Sequence, residues 1–461
     1  MGLGEYRVAI VGAGPGGYYT AEYLLRHLQD VRIDFIERLP TPFGLVRGGV
    51  APDHAKIKSV SAVFDKISRD PRVDFLGGVR LGVNVSYKEL AEFYDVVVVA
   101  TGAAHSTPLG VPGADLEGVM GATSFVGWYN GVPDCRDLPV NLDGEDVVVL
   151  GHGNVAGDIA RILLSPVDAL ARTDIAAHAL ESLARSRVRR VHLVGRRGIA
   201  QAKFSTPVLR ELAAIPGCDT TVEPSEIELN AESMTELAVH ANGGAEKNIE
   251  IFRALAPGSA SGDRKQLSMR FLLSALRLEG QHAVRSIVLS RNRLQGDPFA
   301  QRAVQTDESV RIDCGLVIAS IGFKGQAIPG IPFDEAKGVI PNSRGKVIGA
   351  GVGPGLYVAG WVKRGANGII GTNRADGWET GGSICADLAA GVIRRAPLAS
   401  LSFRDALLAR KVAATSYADW DHLDGIEKQA GTLVGKPREK MTVIAEMIQT
   451  LAARNADKAE N

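Results

Sequence analysis

Apolar positions along this chain gather into short unbroken runs that end in glycine. VAIVG, VVVVATG, VVVLG and LYVAG are examples. A run of four to six apolar residues with no polar alternation predicts a strand buried on both faces, and the glycines mark where strands hand over to turns. Between the runs lie stretches such as YYTAEYLL and NVAGDIARILL, which predict helices. Strand, glycine turn and helix in repetition predict an α/β fold with Rossmann-like, dinucleotide-binding domains.

The first run opens a complete fingerprint. After YRVAIV come Gly12, Gly14 and Gly17 in a G-x-G-x-x-G pattern, then a helix. The glycines serve the tight turn, the close approach of backbone to a pyrophosphate and the packing of helix on strand. The next strand, VRIDFIER, delivers Glu37 about 20 residues past Gly17, where an acidic residue accepts hydrogen bonds from a ribose without a 2′-phosphate.

A second fingerprint follows in DVVVLGHGNVAGDIARILL, with Gly151, Gly153 and Ala156 in a G-x-G-x-x-A pattern. Its helix is expected to stop near Pro166. After a polar, helical insertion, RVHLVGRRG supplies the second strand of this unit, and its tip carries Arg196 and Arg197 instead of an acid. A basic pair there suits a 2′-phosphate, so two sites are expected, the second one for NADP(H).

Between the fingerprints, YDVVVVATGAAHSTPLGVPG runs from a strand into Thr101 and Gly102 and then a Pro/Gly-rich crossing, and CGLVIASIGFKG (314–325) repeats that form. These segments read as two hinges of an inserted domain. The NADP-binding domain is expected over residues 104–325, with 1–103 and 326–461 forming a first-nucleotide domain split in sequence. GLYVAGWVKRGANGIIGTN belongs to the second part and would return its glycines to the first cofactor.

Composition narrows the class further. The 461 residues allow two large cores, and 52 basic against 52 acidic residues give no bulk attraction to nucleic acid or an anionic membrane. The four cysteines are far apart with no C-x-x-C pair, which argues against a dithiol active site, an iron-sulfur cluster or a disulfide scaffold. No metal site is expected. The amino-terminal strand without a leader pattern and the lack of any transmembrane-length run fit a cytoplasmic protein without a membrane span.

PFGLVRGGVAPDH, GHGNVAGDIARILL, VGRRG and GWVKRGANGIIGTN resemble, in order and spacing, the adrenodoxin reductase type of ferredoxin-NADP reductase over nearly the whole chain. The resemblance implies FAD in the first site, NADPH in the second, and a transient 2Fe-2S or similar ferredoxin as partner, docked electrostatically by a monomer or weak dimer. The NADP domain would be inserted into a discontinuous FAD domain. Ala13, Glu37, Leu45 and Val83 would contact FAD, and Gly360, Trp361, Gly368, Ile369 and Ile370 would lie by its ring and phosphates. Gly151, His152, Gly153, Asn154 and Val155 would open the NADP site, and Gly368 would also face the nicotinamide.

The resemblance further implies that His54 and Glu211 act near the nicotinamide, fixing the carboxamide and tuning local protonation. A loop-capping histidine and a solvated helix glutamate are their plainer readings. Hydride transfer from nicotinamide to flavin asks mainly for positioning, with the reacting atoms about 3 to 3.5 Å apart. Two departures stand out: Val208 replaces a glutamate that contacts NADP in the family, and the stretch corresponding to a basic docking helix offers only Lys247 and Arg253. Lys363 and Arg364 read as surface charges that would guide an acidic partner. A flavin-dependent NADPH oxidase or monooxygenase shares the two-nucleotide plan, and a non-catalytic NADP-binding sensor is the alternative outside enzymes.

Overall fold

The structure is a computed structural model, and it describes residues 5–239, 244–256, 258, 262–368, 370–397 and 401–460. The fold is mixed α/β with parallel sheets, as the strand–glycine–helix pattern predicts. The chain separates into two compact units: Met1–Val50, His54–His105 and Phe323–Asn461 form the first, and Ala51–Asp53 and Ser106–Gly322 the second.

The first unit is built on a seven-stranded sheet. Its strands run, edge to edge, Asn342–Ser343, Lys346–Val347, Leu356–Val358, Val96–Val99, Tyr6–Val11, Val31–Glu37 and Val73–Gly77. The last five are parallel neighbours, with Val8 opposite Ile33 on one side and Val96 on the other. Both faces are covered. Val8 and Ile10 join one core with Tyr18, Phe35 and Phe64, whereas Ala9 and Val11 join the other with Val97, Val99 and Leu356. Alternate residues of one strand therefore reach two apolar cores, which is why its buried part, Val8 to Val11, is apolar throughout.

The carboxy-terminal segment adds helices Phe403–Ala409, Tyr417–Leu433 and Ile444–Glu460. Trp420, Leu423, Met447 and Leu451 pack into the same core as Val8 and Phe35, so these helices cover one face of the first unit. Helix Ile370–Ala389 packs closely on helix Pro15–His27: a Cβ on Gly377 would meet the Thr20 nitrogen at 2.8 Å. Small residues there replace the apolar stripe of an ordinary surface helix.

The second unit has a six-stranded, all-parallel sheet. Its order is Val119–Gly121, Leu316–Ala319, Asp146–Leu150, Arg190–Val194, Lys265–Arg270 and Cys218–Val222. Helix Asn154–Leu164 follows the Asp146–Leu150 strand and stops before Pro166. An antiparallel three-stranded sheet, Leu273–Gly280, Val284–Gln295 and Arg302–Asp313, packs Leu273, Ile287 and Leu289 against Val148, Leu150 and Val194.

Candidate functional site: two glycine turns and their charged strand ends

In the first unit, the Tyr6–Val11 strand ends at Gly12, whose φ is +107°. A Cβ there would lie 2.5 Å from the Ala100 carbonyl oxygen, so only glycine lets the turn pass the neighbouring strand end. Helix Pro15–His27 then begins with Gly14 at its N-cap and no side-chain cap, which leaves its first amides aimed outward. The space ahead of them is open: a Cβ on Gly14 would meet nothing closer than 4.0 Å, and one on Gly102 nothing within 4 Å. Thr101 beside it is exposed.

Glu37 closes this turn from the second strand. Its carboxylate accepts the Ala13 N–H at 2.9 Å and the Leu39 N–H at 3.1 Å. Burial pushes the carboxyl upward, and the backbone donors at Ala13 and Leu39 work against that shift. Two neighbouring loops carry the remaining candidates. Leu45 is exposed and follows Gly44, which packs on Gly14, and Val83 is 71% exposed on a loop whose Val79 N–H bonds the Glu37 carbonyl at 2.9 Å.

Gly360 and Trp361 form the start of a short helix, Trp361–Arg364, beside the first glycine turn; a Cβ on Gly16 would lie 2.9 Å from Gly360. The Trp361 ring stacks on Phe323, with centroids 6.0 Å apart, and its indole N–H is buried with no protein acceptor among the described residues. Gly368 is exposed at φ +81°, Ile370 starts the long helix, and Ile369 lies outside the described residues.

Lys363 is not a surface charge. It is buried, and its ammonium pairs with Asp376 at 3.0 Å and Glu379 at 2.8 Å and donates to Thr380 at 3.1 Å. Arg364 is also mostly covered and donates to Asn373 at 3.0 Å. Asp376 additionally accepts the Gly360 N–H. These charges turn inward because Asp376, two helical turns into a glycine-rich helix, offers a buried carboxylate that must be matched. Nothing in the spacing from 363 to 376 announces that pair.

The second unit repeats the plan. Gly151, with φ +131°, would collide with the Ser320 carbonyl if it carried a Cβ. Gly153 is the N-cap of helix Asn154–Leu164, again without a side-chain cap and with open space around it. The Asn154 side chain accepts the Ser205 N–H at 2.8 Å, and Val155 follows in the first turn. His152 behaves differently from its neighbours. Its ring lies over Gly195, its centroid 4.4 Å from that of Phe271, and its Nε2 donates to the Leu193 carbonyl at 3.0 Å. Burial lowers its pKa to about 4, so the ring is neutral at pH 7 and serves packing.

Arg196 is exposed and Arg197 half-buried at the tip of the Arg190–Val194 strand. Their backbone is fixed: the Arg196 carbonyl accepts Asn292 Nδ2 at 2.8 Å and the Arg197 carbonyl accepts the Leu272 N–H at 3.2 Å. Val208 is buried and faces Gly157, a packing position in which a glutamate would be desolvated. Lys247 and Arg253 lie exposed on helix Gly244–Leu255, interleaved with Glu246 and Glu250.

Glu211 and His54 fall on different kinds of element. Glu211, on helix Thr206–Ala213, accepts from the Arg161 guanidinium at 3.2 Å. His54 precedes the short helix Ala55–Lys58, and its carbonyl accepts the Ile57 and Lys58 N–H groups at 3.0 and 3.1 Å. Arg161 itself was not among the sequence candidates. It is buried and binds Asp53 through two hydrogen bonds, 2.6 and 2.9 Å, and Asp158 at 2.8 Å. The Asp158–Arg161 spacing of three residues was the only sequence signal for it.

Residues 6–212 match the family model described as pyridine nucleotide-disulphide oxidoreductase. The chain is 43% identical to the mitochondrial NADPH:adrenodoxin oxidoreductase of Salvelinus fontinalis over 97% of this chain and 91% of that protein. It is 41% identical to the NADPH-ferredoxin reductase FprA of Mycobacterium tuberculosis over 96% of this chain and 98% of that protein. The structure of M. tuberculosis FprA in complex with NADPH superimposes with a TM-score of 0.92 at 40% identity, covering 97% of this chain and all of that one. The chain therefore belongs to the family of adrenodoxin reductase and FprA, the NADPH-dependent ferredoxin reductases.

Proposed function

We propose that this protein is an FAD-dependent NADPH:ferredoxin oxidoreductase. The observation that carries the reading is a pair of uncapped glycine turns whose neighbouring strands end in opposite charges, Glu37 in one unit and Arg196 with Arg197 in the other. Two uncapped helix N-termini suit two pyrophosphates. The acid selects a plain ribose and the arginines a 2′-phosphate. When bound, FAD supplies the conversion the partners require, taking a hydride from NADPH and releasing electrons one at a time.

On this reading the FAD domain comprises residues 1–103 and 326–461, and the NADP domain 104–325. Ala13, Glu37, Thr101 and Gly102 line the FAD ribose and pyrophosphate, with Gly12, Gly14 and Gly17 shaping the turn. Leu45 and Val83, both exposed apolar side chains, suit flat ring faces. The indole N–H of Trp361, buried with no protein acceptor among the described residues, suits an acceptor on the flavin, and Gly360, Gly368 and Ile370, with Ile369 by sequence, are assigned to the same cofactor. The amides of Gly153, Asn154 and Val155, with Gly151 and His152 forming the turn, hold the NADP pyrophosphate. His54 and Glu211 position the nicotinamide and keep its surroundings polar.

The partner is a small iron-sulfur protein bound transiently. The balanced charges on helix Gly244–Leu255 and the inward turn of Lys363 mean that a strongly basic docking face does not lie at either place. Four free cysteines accord with a reducing compartment such as the cytoplasm.

The test is anaerobic stopped flow on the purified protein. Flavin absorbance should bleach rapidly with NADPH and slowly with NADH, and a 2Fe-2S ferredoxin should restore it. Recovery only with oxygen and an organic substrate would identify a monooxygenase instead, and a protein without flavin would leave the sensor reading.

A further inference from the structure

Four arginines cluster around the end of the Arg190–Val194 strand, and two of them are already paired. Arg270, opposite Val194 in the neighbouring strand, donates to the Glu226 carboxylate at 2.8 Å. Arg291 lies 3.6 Å from the same carboxylate and 3.3 Å from Glu308. Among the described residues, no carboxylate stands within ion-pair distance of Arg196 or Arg197.

The tip that carries this second pair is held by its carbonyls. Gly195, Arg196 and Arg197 present three successive oxygens, which accept the Leu273 N–H at 3.0 Å, Asn292 Nδ2 at 2.8 Å and the Leu272 N–H at 3.2 Å. Two of these donors are backbone groups and the middle one is a side chain. Asn292 is 4% exposed, its own N–H bonds the Leu272 carbonyl at 2.7 Å, and Nδ2 also donates to the Ser274 hydroxyl at 2.8 Å. The backbone pairing is made without the side-chain amide, so the sheet itself gives no reason to bury it. Leu272 has φ +55°, a state that a branched side chain keeps only when its neighbours fix it. Both sides of the contact are thus constrained.

We propose that Asn292 is a positioning residue for 2′-phosphate recognition: by holding the Arg196 carbonyl, it fixes the peptide from which both guanidinium groups project. All of these residues lie in the second unit. Charged hydrogen bonds to a phosphate demand direction as well as distance, so rotation of a released peptide loses them without removing either charge. The proposal rests on the reading of Arg196 and Arg197 as the 2′-phosphate site.

The experiment is isothermal titration of the FAD holoenzyme with adenosine 2′,5′-bisphosphate and, separately, with adenosine 5′-monophosphate, which lacks the 2′-phosphate. Asn292→Leu keeps the side-chain shape and removes the donor; Asn292→Ser, one bond shorter, is the second way of releasing the carbonyl. Both should weaken the bisphosphate about fivefold to fiftyfold, within the range of the charged hydrogen bonds they disturb, and leave the monophosphate within about twofold. In the Arg196→Ala/Arg197→Ala background, Asn292→Leu should cost less than about twofold, because the groups it positions are gone.

Unchanged bisphosphate affinity in both Asn292 variants, an equal loss for the monophosphate, or an equal loss in the arginine-free background would overturn the proposal and leave Asn292 as part of the fold alone. A wild-type protein that binds the bisphosphate no tighter than the monophosphate would remove the NADP reading itself, and the proposal with it.

Discussion

The Glu37 carboxylate accepts the Ala13 N–H at 2.9 Å, joining the tip of the second strand to the middle of the first glycine turn. Its other oxygen accepts the Leu39 N–H. One buried acid thus holds the turn in shape while keeping free lone pairs for a ribose.

Glu37→Gln should loosen both roles. An amide NH₂ cannot accept, so whichever way it turns, one backbone N–H faces a donor, and an unsatisfied buried group costs about 1 to 3 kcal/mol. We expect a lower flavin-to-protein ratio after gel filtration and a thermal midpoint lower by a few degrees. Full flavin retention in the variant would show that the carboxylate is needed for neither.

Much of this arrangement was legible in the residues. Unbroken apolar runs gave away strands buried on both faces, and the glycine spacings located both turns, because a turn beside another strand end excludes a Cβ in any such fold. The antiparallel sheet of 273–313 is not announced by the sequence, since its outer strands are interrupted by charges and show no continuous apolar run. Lys363 and Arg161 were misread or missed for a common reason: their partners, Asp376 and Asp53, are distant or unremarkable in sequence, and burial of a charge is decided by tertiary neighbours.

Replacing Arg196 and Arg197 with alanine should act on one cofactor only. Each hydrogen bond to a charged phosphate contributes about 1.5 to 3 kcal/mol, so the KM for NADPH should rise about tenfold to a hundredfold for each arginine, while the KM for NADH scarcely moves. Steady-state ferricyanide reduction with both cofactors measures this. An equal rise for both would place the arginines away from the 2′-phosphate.

Lys363→Met should behave as a core lesion and not as a lost docking charge. Removing the ammonium leaves Asp376 buried beside the Gly360 N–H with Arg364 Nε, 3.8 Å away, as its remaining counter-charge, and breaking a buried pair costs up to about 3 to 5 kcal/mol. The expected result is a lower thermal midpoint and easier flavin loss. The ionic-strength dependence of ferredoxin reduction, measured on the fraction that retains flavin, should match wild type; a flattened dependence would return Lys363 to the surface role.

His152 gives a prediction about pH. Its folded pKa is about 4, against 6.5 for an ordinary histidine, because burial over Gly195 and against Phe271 disfavours the charged ring. Between these values the unfolded chain binds a proton that the folded chain refuses, so stability rises with pH across that window. The contribution is complete above pH 6.5 and gone by pH 4. At about 1.4 kcal/mol per unit, the 2.5 units from 6.5 to about 4 amount to about 3.5 kcal/mol. His152→Phe keeps an aromatic ring over Gly195 but cannot titrate, so its urea midpoint should fall less than that of wild type when the pH is lowered from 7 to 4.5. The variant should start lower at pH 7, having lost the hydrogen bond to the Leu193 carbonyl. Parallel declines in the two proteins would mean that the ring takes up its proton in the folded state at an ordinary pH, and that the packing against Phe271 opens to admit it.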